Sequence, residues 1–237
     1  WEGVAACIAE IAAQLPGETC DGVAVASSGE DVLLDGAAQS VYPAIRWFDT
    51  RTEAIASAWE PFGREHIYRI TGINPNPVAS ITKMQWIKRY VPEAWGRARL
   101  WIPIAGFISL KLTGAARAPW TNACRSMAFD LMRRDWSAEI LAEAGIDRSM
   151  LADPIRPGEQ IPPPPQRRDS KKGRRSLRAV WTMPAVPLRR GSSVRGRCST
   201  PRGRASSCLR FWMRPRAAPR AWRRTSRPSP MWSMTPT

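Results

Sequence analysis

The chain has 237 residues, 43% of them hydrophobic, and a formal net charge of +16. That is enough apolar material for a sizeable core. Its longest apolar run, residues 100–112 (LWIPIAGFISLKL), is too short to span a bilayer and carries Lys111, so no membrane partner is expected. Cys7, Cys20, Cys124, Cys198 and Cys208 form no C-x-x-C pair and no zinc spacing, which argues for reduced thiols in a cytoplasmic protein and against a disulfide framework or a metal site.

The charge is unevenly placed. Residues 1–161 hold 16 Lys+Arg against 19 Asp+Glu, whereas residues 162–237 hold 20 against 1. We therefore divide the chain into a domain, 1–161, and a basic tail, 162–237. The chain opens on Trp1 without a basic signal-peptide region, and further sequence is expected upstream.

In residues 1–14, Val4, Ile8 and Ile11 share one face, a helical spacing. Residues 22–28 (GVAVASS) are apolar and β-branched between turn signals and predict a buried strand; residues 32–35 predict a second and 42–47 (YPAIRW) a third. Residues 50–59 have helical composition, with Thr50 and Glu53 spaced as a capping box. Further helices are predicted over 81–91, over 104–112 ended by Gly114, and over 137–144 ended by Gly145. The sum is an α/β domain with strands early and helices late.

Two loops concentrate polar groups. SSGED (27–31) sets hydroxyls, a glycine and two acids between apolar strands, and WFDTRT (47–52) sets an indole, an acid and a guanidinium at a strand-to-helix junction. Such a set suits a sugar: carboxylates accept from its hydroxyls, Arg51 donates, and Trp47 covers an apolar face. The plainer reading makes Asp49 a helix cap, Arg51 a surface partner of an acid, and Glu30 and Asp31 a solvated turn. His66, the one histidine, reads as structural.

The ordered blocks GVAVASSGEDVLLD, YPAIRWFDTRT, ITGINPNPVASITKMQWIKRYVPEAWGRARLWIPIAGFISLKLTG and ACRSMAFDLMRRDWSAEILAEAGIDRSMLADPIRPGEQI resemble the first domain of the FGGY carbohydrate kinases, of xylulokinase or fuculokinase type, over nearly all of 1–161. The resemblance implies a ribonuclease-H-like (actin-like ATPase) N-terminal α/β domain and transfer of a phosphoryl group from ATP, with Mg²⁺, to a sugar or polyol. It implies substrate roles for Trp47, Asp49 and Arg51 of the W-x-D-x-R block and for Ser28, Gly29, Glu30 and Asp31 of the sugar loop. The chain departs from the G-Q-M-H loop of the xylulokinases, which leaves the sugar open.

Phosphoryl transfer needs a phosphate cradle, a metal with acidic partners and a base on the substrate hydroxyl. The family's D-x-G-T hairpin belongs upstream of Trp1, and its base, an Asp in a G-G-x-D motif, belongs soon after RPGEQI. In its place stands the basic tail. We therefore expect an incomplete domain with an unpaired sheet edge, no catalytic Asp, and neither ATP nor Mg²⁺ well held.

The tail has no Ile, Tyr, Asn, Glu or His, and 12 of its 76 residues are Pro, so it is expected to be disordered. One reading makes it a nucleic-acid arm whose arginines neutralise phosphates and whose Trp181, Trp212, Trp222 and Trp232 stack on bases, without sequence preference. The other makes it GC-rich DNA translated out of frame. Trp and Met have single codons, so residues 180–184 (VWTMP) read GTN-TGG-ACN-ATG-CCN. Started from each third base, this spells Leu/Met/Val, a forced Asp, His/Asn/Asp/Tyr, and Ala. Codon choices through residue 201 permit Gly-Met-Asp-His-Ala-Cys-Gly-Ala and a family-like continuation. The C-rich tract under residues 161–165 (IPPPP) is a natural place for the frame to slip. The ancestral function is then a sugar or polyol kinase, with a non-catalytic sugar-binding remnant or a nucleic-acid binder as alternatives. Sequencing the gene should find an insertion or deletion under codons 161–172, with the motif open in the other frame. An uninterrupted frame with no such motif would contradict this reading.

Overall fold

The computed structural model describes residues 1–14, 20–27, 29–161, 179–181 and 210–215. Helix α1 (Glu2–Ala13) forms as its spacing predicts. Val4 and Ile11 are buried with Ile8 beside them, in a cluster with Val23 and Val25 of β1 (Cys20–Ala26). Strand β2 (Asp31–Leu34) is buried along its whole length and lies between β3 (Ser40–Tyr42) and β4 (Leu100–Pro103), antiparallel to both.

Two expectations fail locally. The strand expected over 42–47 ends its pairing at Tyr42, since Pro43 has no N–H for a ladder. The helix expected over 50–59 is shortened to α2 (Glu53–Ser57), followed by a 3₁₀ turn (Glu60–Phe62) with Pro61 in its first turn. The Thr50 capping box does not form. Thr52 takes the cap position without a capping bond, and its hydroxyl donates to the Pro77 carbonyl at 2.5 Å, so a tertiary bond prevails over the local one.

Helices α3 (Arg64–Thr71), α4 (Ser80–Tyr90) and α5 (Pro92–Arg97) follow, and β4 runs directly into α6 (Ile104–Thr113). Then come β5 (Arg117–Pro119), α7 (Trp120–Ala123), a 3₁₀ turn (Cys124–Ser126), the β6 (Phe129–Asp130) and β7 (Asp135–Trp136) pair, α8 (Ala138–Ala144), β8 (Asp153–Ile155) and β9 (Gln160–Ile161). Strands thus recur after the helices as well as before them, from β4 onward, rather than strands preceding helices. Gly114 and Gly145 end α6 and α8 in the left-handed region, at φ 75° and 65°, as only glycine does cheaply. At Gly106 in α6 a Cβ would stand 2.3 Å from the Arg117 carbonyl oxygen, so the bare backbone is what lets α6 lie against β5.

The main core gathers β2, β4, α4 and α8 around Leu34, Ile67, Met84, Ile102, Phe129 and Ile140. Two short segments from beyond residue 161 join the other sheet. Strand β10 (Ala179–Trp181) runs parallel to β1 and β11 (Arg210–Pro215) antiparallel to it, giving the order β11-β1-β10-β9. Strand β1 therefore has a partner on each side. The expected disorder of 162–237 otherwise falls outside the described residues. Among those residues, no helix is long and apolar enough to cross a membrane.

Candidate sugar site

The loop between β1 and β2 is built by backbone constraints. Ser28 lies outside the described residues. Gly29 has φ of +114°, a conformation L side chains rarely adopt. The Ile104 N–H donates to the Glu30 carbonyl at 2.8 Å, and Asp31 pairs opposite Pro103, so the loop is fastened where β4 becomes α6. Glu30 and Asp31 are 5% and 8% exposed, and a solvated turn is thereby ruled out.

Beneath the loop lies Lys83 of α4, a lysine only 1% exposed. Its ammonium donates to the Ile45 carbonyl at 3.4 Å and stands in the fields of Asp31, Glu30 and Asp49. Burial nevertheless pushes its pKa down, against the pull of those acids. Burial likewise pushes the Asp31 carboxyl up, opposed by Ser80, Lys83 and Trp101. The Asp31 Oδ2 and Trp101 Nε1 close no hydrogen bond with described residues. Both residues line a cavity of about 10 Å³ with Ser80, Asn122 and Ser126. That is about the room one water needs and far too little for a sugar, so Asp31 faces a space no sugar enters.

The second block reaches the same lysine from the other side. The Asp49 carboxylate is gripped by Arg51, whose Nε and terminal nitrogen donate at 2.9 and 2.8 Å while its backbone N–H donates at 3.1 Å. This fork, more than any helix position, holds the Asp49 pKa below its usual value. Asp49 caps no helix. Arg51 also lies 4.8 Å from the Trp86 ring centroid. Trp47 is 43% exposed and packs in a T-shaped pair with Phe48, ring centroids 5.4 Å apart. His66 makes a 2.6 Å contact to Glu139 on the surface, consistent with a structural role.

Sequence reasoning missed two residues here. Lys83 is buried together with its neighbours Ile81, Thr82 and Met84 on α4, which the helical spacing of Met84, Ile87 and Val91 does not announce. Arg125, on the 3₁₀ turn after α7, approaches Gly29 so closely that a Cβ there would meet its Nε at 2.8 Å. No local pattern announces a contact across about a hundred residues.

A sequence profile of the N-terminal domain of the FGGY family of carbohydrate kinases matches residues 1–166. The chain belongs to the FGGY family. It is 31% identical to the L-fuculokinase of Escherichia coli over 157 residues, 65% of this chain and 33% of that protein. It is 30% identical to the rhamnulokinase of Pectobacterium atrosepticum over 143 residues, 60% of this chain and 29% of that one. It therefore spans about a third of the length of the curated relatives it matches. A ligand-bound xylulose kinase from Lactobacillus acidophilus superposes with a TM-score of 0.57 at 25% identity, over 65% of this chain and 32% of that one. The ADP-bound glycerol kinase of Plasmodium falciparum, at TM-score 0.50 and 24% identity over 53% and 26% of the two chains, shares the fold.

The raised Asp31 carboxyl of this FGGY domain has a consequence for stability. An acid protonated more readily folded than unfolded makes the fold lose stability as pH rises from the unfolded value of 3.8 through the raised one. The melting temperature of wild type should therefore fall relative to that of Asp31→Asn as pH rises from 4 to 7, on top of the constant offset left by removing a counter-charge from Lys83. Scanning fluorimetry across that range checks it. A difference that does not change with pH would contradict it.

Proposed function

We propose that this chain carries the sugar-recognition part of an ATP-dependent sugar or polyol kinase, and that the 237-residue polypeptide does not itself complete phosphoryl transfer. The observation that carries the proposal is the convergence of the Gly29–Glu30–Asp31 loop and the Trp47–Asp49–Arg51 block on one buried ammonium, Lys83. Glu30 accepts from sugar hydroxyls, the exposed Trp47 indole covers the apolar side of the ring, and the Asp49–Arg51 fork fixes the loop that presents it.

The transfer step needs a base on the accepting hydroxyl. In the sequence beyond residue 161 the one acid is Asp169, and the Asp of the family motif is read only in the alternative frame, across codons 181 and 182. We accordingly read 162–237 as out-of-frame sequence and 1–161 as the retained part of the FGGY domain. Codons 179–181, which lead into that Asp, encode β10. It runs parallel beside β1 with Trp181 opposite Val25, so its end stands level with the end of β1 that leads into the sugar loop, where ligands of parallel sheets bind. In the family reaction ATP supplies the phosphoryl group and Mg²⁺ neutralises its charge. Among the described residues no three His, Cys, Asp or Glu side chains converge as a metal holder, and we assign neither group to residues here.

Calorimetric titration with L-fuculose, rhamnulose and xylulose, sugars chosen from the relatives' names, should give saturable heat with at least one, while a coupled assay finds no sugar-dependent ADP. Sugar-dependent ADP release would contradict the second half of the proposal, and the absence of binding by any sugar would contradict the first.

A further inference from the structure

The guanidinium of Arg51 is held by its own loop, by β3 and by α4. Its Nε and one terminal nitrogen donate to the Asp49 carboxylate at 2.9 and 2.8 Å, and its other terminal nitrogen donates to the Tyr42 hydroxyl at 3.5 Å. It lies over the indole of Trp86, 4.8 Å from the ring centroid. Tyr42 ends β3 and Trp86 belongs to α4, and their ring centroids stand 6.3 Å apart. Both side chains are half-buried and pack against the main core.

Tryptophan is the best ring for a cation, and a flat guanidinium covers it without giving up the hydrogen bonds made in its own plane. The indole contact and the fork to Asp49 therefore do not compete. The fork needs such support, because the Arg51 and Asp49 side chains are 38% and 24% exposed and an ion pair that open to water holds its geometry poorly by itself. Trp86 is fixed in turn by α4, which buries Lys83, Met84 and Ile87 around it. It follows Lys83 by three residues, a neighbouring position on a helix surface. Lys83 acts on Asp49 through its field and Trp86 on Arg51 through contact, so one helix sets both members of the fork.

We propose that Trp86 is a positioning residue of the sugar site: by covering the Arg51 guanidinium, with the Tyr42 hydroxyl at its edge, it fixes the Asp49–Arg51 fork and with it the loop that presents Trp47. The proposal rests on the sugar-recognition reading above. It places one determinant of affinity outside both loops, on α4 and the end of β3.

The test compares Trp86→Leu and the conservative Trp86→Phe with wild type, all as the 237-residue chain. Without sugar, the Asp49 carboxyl is titrated by carbon-detected NMR, its signal assigned by its loss in Asp49→Asn. The Arg51 fork holds that carboxyl low, with a smaller contribution from Lys83 that both variants keep, so Trp86→Leu should move its midpoint up toward 3.8. Trp86→Phe retains a ring face and should move it less. With whichever of L-fuculose, rhamnulose and xylulose binds wild type best, Trp86→Leu should bind about five- to thirtyfold more weakly, the range of a partly desolvated cation–π contact, and Trp86→Phe should fall between. A merely structural role would lower the melting temperature and leave the Asp49 midpoint of the folded protein unmoved. An unmoved midpoint or wild-type affinity in Trp86→Leu, or in Trp86→Phe if the leucine variant does not fold, would overturn this inference while leaving the sugar-recognition reading intact. If wild type binds none of the sugars, that reading falls and this inference with it.

Discussion

An ammonium taken out of water demands negative charge nearby, and in this chain that demand organises the site. Lys83 is 1% exposed and, among the described residues, makes one long hydrogen bond, to the Ile45 carbonyl at 3.4 Å. A buried cation is tolerated only if paired or surrounded by counter-charge. The carboxylates that supply it come from two separate places in the sequence, Glu30 and Asp31 in one loop and Asp49 in another. The lysine therefore links the loops across α4. Its pKa is lowered and that of Asp31 raised, so neither group is at ease, as is common where polar groups are arranged for a ligand rather than for the fold.

Legibility from sequence followed the range of the interactions. The α1 stripe of Val4, Ile8 and Ile11, the buried strand of Val23 to Val25, and the glycine stops at Gly114 and Gly145 depend on residues a few positions apart, and periodicity and turn chemistry carry them. The 50–59 helix was misjudged because the Thr52 hydroxyl bonds to Pro77, 25 residues on, a partner that no capping rule sees. The strand over 42–47 failed because Pro43 outweighed the β-branched neighbours. At the site, the loops were visible as clusters of polar residues, but their chemistry was not. Asp31 faces a water-sized cavity, and Lys83 and Arg125 enter from α4 and from the turn after α7. Only the folded chain brings them within range.

The charge split along the sequence and the pairing of β1 meet in one place. A central strand with free edges takes the partners the chain offers, and here β10 and β11 flank β1. The β1 end that β10 accompanies is the end that opens into Gly29 and Glu30. The surface proposed to bind sugar, the buried charge of Lys83 and the parallel strand β10 thus meet at the β1 end of a domain that belongs to a kinase family, in a chain that spans about a third of its relatives.

The claim that Lys83 holds the loop acids in place is tested most directly by urea unfolding of Lys83→Met beside Lys83→Met/Asp31→Asn. Removing one partner of a buried charge group leaves the other uncompensated, a loss of about 3 to 5 kcal/mol. The account predicts that loss for the single variant and a clearly smaller one for the double, in which a stranded carboxylate has been made neutral. Equal losses in the two variants, or no loss from Lys83→Met, would contradict it.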